Sequence, residues 1–234
     1  KQVSPYRLSE MKPCSHSYMT GEVPYNWKIF HDVDNEGYHV PAAHPELQEL
    51  YGRTYKDSDF EGIPITTGVV DNYAAQHWSV ARYKSLLPEF DHLPKENRRL
   101  WMYIGVFPNL VFFFYPEKVG FYMSLPLDVN RTLIIDREFG LPDQRRETRA
   151  ARYLSRRIDQ ITGEQDGNLV QWMQEAVRSS AYPRKNLSQL EQGVADFHED
   201  LRRRIPVMAL ETAPSRGLLA ATNERLKNSV SRAR

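Results

Sequence analysis

Six short segments, 63–70, 78–83, 101–107, 111–115, 120–125 and 131–139, are rich in β-branched and aromatic residues and read as strands. Pro108-Asn109, Pro116-Glu117 and Pro126 punctuate the last four. No helical stretch long enough to make a parallel crossover separates these four, so they predict an antiparallel meander. The pattern then changes. Residues 143–161 place Ala150, Leu154, Ile158 and Ile161 at helical spacing, and 169–177 continue the period with Val170, Met173 and Val177. Residues 187–205 open on Ser188-Gln189-Leu190-Glu191, the spacing of a capping box, and Pro206 ends them. Strands followed by helices predict an α+β fold, with C-terminal helices against one antiparallel sheet. Residues 1–206 read as one domain and 207–234 as a C-terminal arm, partly disordered.

Composition removes several function classes. With 41% hydrophobic residues among 234, the chain can fill a core. A net charge of +1 gives no pull toward nucleic acid or an anionic membrane. No apolar run approaches the ~20 residues of a membrane-spanning helix. Neither nucleic acid nor membrane is therefore an expected partner, and a cytoplasmic location is the expectation. The single cysteine excludes an internal disulfide and any cysteine-rich metal site made by this chain alone.

The chemistry-bearing stretch is 26–52, where Asp32, Asp34, Glu36, His39 and His44 fall within thirteen residues. Two histidines with carboxylates nearby are metal-ligand material. His39 and His44 are five residues apart, which on a regular helix separates them by roughly 140°. Pro41 and Pro45 argue against a regular helix here, so a turn must bring the two together. Read without a partner, they are two unrelated surface histidines near a helix end. Two histidines and one carboxylate with open positions suit a non-haem Fe(II) centre, whereas a structural zinc site needs a fourth ligand.

Asn26-Trp27-Lys28, then Asp34-Asn35-Glu36-Gly37-Tyr38-His39, then His44-Pro45, resemble the mononuclear-iron motif of Rieske non-haem iron oxygenase α subunits. Downstream, Asp166 lies 122 residues after His44, at the head of a segment carrying Trp172 and Ala176, and 187–205 resembles the closing helix of that family. The resemblance spans roughly residues 5–206. It implies a helix-grip (START-like) catalytic domain, in which an antiparallel sheet wraps a long helix around a cavity. It implies Fe(II) on His39, His44 and Asp166, with Glu164 and Asp159 as fallback ligands. It makes Glu36 the catalytic acidic residue that hydrogen-bonds His39 and links it to a Rieske [2Fe-2S] cluster in a neighbouring subunit, carrying the electron path. Asp is commoner at that position, and Glu resembles members that demethylate or cleave quaternary amines.

The same resemblance implies a small-molecule substrate, O2, a ferredoxin or reductase donor and a homotrimer. The reaction would be hydroxylation of an aromatic ring, or oxidative N-demethylation or C–N cleavage of an amine. A Rieske cluster needs two Cys-His pairs. Cys14-Ser15-His16 supplies the spelling of one and no second cysteine exists, so the cluster must come from outside this segment. The alternatives are a non-catalytic helix-grip module binding an apolar small molecule, and a hydrolytic zinc site with Glu36 as base.

Weaker signals complete the reading. Trp101, Tyr103 and Tyr122 read as core or as pocket lining. Arg145, Arg149, Arg152 and Arg156 form one helical stripe, by default solvated and otherwise a docking face for an acidic donor. His31, His77, His92 and His198 show no ligand spacing.

Overall fold

The computed structural model describes residues 3–182 and 187–232, without the side chains of 15–19 and 230–232. Seven antiparallel strands form one sheet: β1 (Lys12–Val23), β2 (Lys56–Phe60), β3 (Ile63–Val69), β4 (Leu100–Val106), β5 (Leu110–Phe114), β6 (Val119–Asp128) and β7 (Arg131–Gly140). Their order is β1-β7-β6-β5-β4-β3-β2. The meander expected from the last four segments is present as β4 to β7, and β3 extends it by pairing with β4. The two strands the sequence reading did not foresee, β1 and β2, are the two edges. Every residue of β2 is exposed, so no apolar alternation marks it. Pro126 does not end a strand. It sits inside β6, where the register with β7 shifts between Pro126 and Asp128.

The helices are α1 (Trp27–Asp34), α2 (Val40–Ala43), α3 (Pro45–Tyr51), α4 (Trp78–Leu86), α5 (Arg146–Ala176), α6 (Gln192–Arg204) and α7 (Leu219–Arg232). The segment expected as a strand at 78–83 is α4. Its buried residues Ser79, Val80 and Tyr83 share one helical face, and it packs on α5. The two helices expected at 143–161 and 169–177 are one 31-residue helix, α5. Gly163 and Gly167 weaken it locally but do not break it, because α1, α3 and α4 pack along its length.

The sheet is covered on both faces. On one, Trp101, Phe113 and Tyr115 join Leu50, Tyr51, Val80, Tyr83, Ala151, Leu154 and Ile158. On the other, Ile65, Met102, Phe114 and Val119 meet Tyr6, Phe90 and Leu93. The alternation of Phe113 and Tyr115 with Phe112 and Phe114 therefore feeds two cores rather than a core and a solvent face. The sheet curving against α5 is the helix-grip arrangement.

The chain divides into two compact units, residues 1–184 and 185–234. The helix α6, counted with the first domain in the sequence reading, falls in the second unit. Its start matches expectation: Ser188 accepts from Leu190 N and donates its own N–H to Glu191 in a capping box, ahead of a short 3-10 turn. Residues 206–209 and 216–218 form 3-10 turns, and α7 follows. No helix among the described residues is long and apolar enough to cross a membrane.

Candidate metal centre

The first ligand-bearing segment is built by local capping. Asn26 caps α1, accepting from Lys28 N at 3.0 Å, and its own N–H donates to Gln174 of α5 at 2.8 Å. The Asn-Trp-Lys signature thus begins a helix and ties it to α5. The helix ends at Asp34, before Glu36, so Glu36 and His39 do not share a helical face. A turn carries them instead. A Cβ on Gly37 would collide with the Tyr55 ring, which is why the turn needs glycine there. His39 precedes α2, and His44 joins α2 to α3. Pro41 and Pro45 occupy the first turns of these two helices, where a missing N–H costs nothing. One turn of helix between the histidines, not a helix through them, brings their rings to 5.1 Å between centroids.

Asp166 arrives from α5. It does not open a helix, as the sequence reading had it, but lies well inside one. Its Oδ1 is 2.9 Å from His44 Nε2 and 3.6 Å from His39 Nε2. One ligand atom from each of the three residues lies within 4.8 Å of the others. The fallback residues stand elsewhere. Glu164 is exposed, and Asp159 pairs with Lys118 at 2.9 Å and accepts from Tyr115 at 2.8 Å.

Both Nδ1 atoms are engaged from outside. That of His39 is 2.5 Å from Glu36 Oε1, and that of His44 is 2.8 Å from Gln165 Oε1. Both Nε2 atoms are left facing Asp166. Despite its closeness to His44, Asp166 Oδ1 is inaccessible to solvent and has no hydrogen-bond donor in acceptable geometry. An orphaned buried carboxylate oxygen costs ~1–3 kcal/mol or more, and a cation between it and two Nε2 lone pairs removes that cost. The residues present fit a metal ion. Without one, burial pushes the His44 pKa down and the Asp166 carboxylate outweighs it, so the net direction is up.

Beneath the triad, buried His31 bridges Asp34, 3.1 Å from Nδ1, and Ser124, 2.7 Å from Nε2, while Tyr122 donates to Asp34 at 2.8 Å. His31 thus fixes α1 to β6 and is not a ligand. Further along, fully buried Lys118 lies between Glu138 at 2.6 Å and Asp159 at 2.9 Å. Tyr103 and Tyr115 pair at 2.6 Å beside it. Half-buried Asp136 has its pKa pushed up to about 7, first by burial and then by Glu138 and Asp159. Trp101 is core: fully buried, stacked on Tyr115 and donating to Tyr83.

The arginine stripe is solvated only in part: Arg145 and Arg149 are exposed, whereas Arg152 and Arg156 are engaged by the fold. Arg152 donates to the carbonyls of Glu117 and Leu141, and Arg156 approaches Glu138 at 3.5 Å. Cys14 is half-buried with its thiol pKa raised by burial, and the side chain of His16 lies outside the described residues. Sequence reasoning missed Gln165 and Glu46. The only available signal for Gln165 was its place beside Asp166.

Residues 10–207 match the family model described as the ring hydroxylating alpha subunit, catalytic domain. The chain belongs to that family. No curated protein sequence matches it. The similar solved structures include oxygenases described as Rieske monooxygenases. One is a quaternary ammonium Rieske monooxygenase described for carnitine oxidation by gut microbiota and inter-subunit electron transfer. It has a TM-score of 0.62 at 17% identity over 86% of this chain and 52% of that one. Dicamba monooxygenase bound to 3,6-dichlorosalicylic acid gives 0.52 at 11% identity over 83% and 60%. The Pseudomonas putida NdmA variant with caffeine gives 0.50 at 11% identity over 86% and 52%. These likenesses establish the oxygenase α-subunit fold, and the chain spans about half the length of the first of them.

Proposed function

We propose that this ring-hydroxylating alpha-subunit domain is the oxygen-activating part of a Rieske-type mono- or dioxygenase, with His39, His44 and Asp166 as ligands of Fe(II) and Glu36 as the catalytic carboxylate beside them. The observation that carries the reading is the convergence of two Nε2 atoms on a buried carboxylate oxygen that has no donor. When bound, ferrous iron supplies redox chemistry toward O2, with electrons drawn from a Rieske [2Fe-2S] cluster outside this segment. Every other role belongs to the chain. Glu36 accepts from His39 Nδ1–H, fixes the ring's tautomer and raises its basicity. A cleft of about 360 Å³ lies against Glu36 and His39, walled by Val33, Tyr38, Leu169, Trp172, Met173 and Ala176. It gives an electron donor a short approach to Glu36. Inter-subunit transfer, as described for the carnitine-oxidising structure, and a homotrimer are the arrangement we propose, with a ferredoxin or reductase as donor and the cytoplasm as location.

The substrate we propose is a small molecule hydroxylated on an aromatic ring or oxidised next to nitrogen. Support for the amine comes from Glu36, the residue type that at this position resembles members acting on quaternary amines. The test is iron content after anaerobic loading with Fe(II). The wild-type chain is expected to bind about one iron per chain, and His39→Ala, His44→Ala and Asp166→Ala far less. Equal, low iron in wild type and variants would end the reading.

A further inference from the structure

The two histidines are held by different chemistry. Glu36, which holds His39, is a carboxylate and only accepts hydrogen bonds. Gln165, which holds His44, is an amide and can present either its oxygen or its NH2 to the ring. Presenting oxygen requires a hydrogen on His44 Nδ1 and leaves Nε2 with a free lone pair toward Asp166. Presenting NH2 reverses this: Nδ1 must accept, the ring hydrogen moves to Nε2, and the lone pair is lost from the side where a metal would bind. Something must choose the orientation. Gln165 Nε2 donates to Glu46 Oε2 at 3.1 Å, and Glu46 is buried, 6% exposed, just beyond His44 at the start of α3. A carboxylate cannot satisfy an amide oxygen, so Glu46 turns the NH2 toward itself and the oxygen toward His44.

We propose that Gln165 and Glu46 are positioning residues for the metal centre: Glu46 fixes the amide of Gln165, and Gln165 fixes His44 with its Nε2 lone pair facing Asp166. The inference rests on the reading of His44 as an iron ligand. Residues 165 and 166 are adjacent on α5, so one helix turn supplies both a ligand and the group that orients a second ligand from another segment. Glu46 also lies 3.6 Å from His77 Nε2, and half-exposed His77 is 3.1 Å from Glu49. That outer contact is not needed for the orientation.

The test is Fe(II) affinity of the full chain, titrated anaerobically with the metal alone, and the electron paramagnetic resonance spectrum of the iron-loaded protein with nitric oxide. Gln165→Leu is expected to weaken Fe(II) binding by about 10–100-fold, the usual loss when a ligand's outer partner is removed. Glu46→Gln keeps size but frees the amide to flip, and is expected to weaken binding about tenfold and broaden the spectrum into two populations. Because Glu46 acts through Gln165, the double variant should bind no more weakly than Gln165→Leu alone. His77→Asn should leave affinity unchanged. Multiplying losses in the double variant, or wild-type affinity in Gln165→Leu, would overturn the proposal. If Gln165→Leu does not fold, near-isosteric Glu46→Gln decides by itself, with wild-type affinity and spectrum as the refuting result. Should His44→Ala bind iron as wild type does, the ligand assignment fails. Should it lose iron while Gln165→Leu and Glu46→Gln do not, only the positioning role fails.

Discussion

Lys118 has no contact with solvent, yet it carries a charge between Glu138 and Asp159, which hold its pKa above the ordinary lysine range. Desolvating such a group is tolerable only with both partners in place. Lys118→Met is therefore expected to lower unfolding free energy by about 3–5 kcal/mol in urea titration, since it removes the buried cation that two carboxylates share. Asp136 gives a pH-dependent counterpart. Its native pKa of about 7 stands above that of an unfolded chain, near 4. An acid with a raised native pKa contributes its full stability below pH ~4 and loses it as the pH rises to about 7. Asp136→Asn should thus raise the melting temperature most at pH 8 and little at pH 4. An equal gain at both would mean that the carboxylate is not desolvated in the native state. At this scale residue type and spacing singled out His39 and His44 as candidate ligands, and Asp166 was named only through the family resemblance. Gln165 and Glu46 were not named, because a glutamine and a glutamate become informative only once a histidine faces them.

Among the elements, the long helix α5 decides most. It carries Asp166, Gln165, Asp159 and the core residues Leu154 and Ile158. Gly163 and Gly167 sit in its middle with open space where a Cβ would go. Gly163→Ala is expected to stabilise by about 0.5–1 kcal/mol, read as a melting temperature higher by ~2–4 °C per kcal/mol. No rise would mean that the helix needs flexibility there for packing. The sequence reading split this helix because the glycines and polar residues of 162–168 interrupt the apolar period. It also took α4 for a strand, because six residues rich in tryptophan, valine and tyrosine suit either state, and only packing on α5 chooses. The central strands were legible because both faces are buried, which fills them with apolar residues. The edges were not, because β2 buries nothing.

At the scale of the molecule, the triad is a candidate metal site that exists only in the folded chain, with His44 and Asp166 122 residues apart in sequence. A metal binding there stabilises the native state by mass action, ~2.7 kcal/mol at one hundred times Kd. Anaerobic Fe(II) should therefore raise the wild-type melting temperature in proportion to the logarithm of its concentration, and leave that of Asp166→Ala nearly unmoved. An equal rise in both would place the metal elsewhere. The sequence by itself determined the antiparallel meander, from residue type and turn signals, and its motif resemblance pointed to the family and to the candidate ligand trio. The single cysteine likewise fixed that any Rieske cluster serving this site is supplied from outside the segment. Only the tertiary structure decided which neighbours the ligands have: a carboxylate on His39, an amide on His44, and an Asp166 oxygen with no donor. Orientation and hydrogen-bond partnership depend on which segments are adjacent in space, and the segments carrying Glu36, His39, His44, Glu46, Gln165 and Asp166 are brought together by the fold.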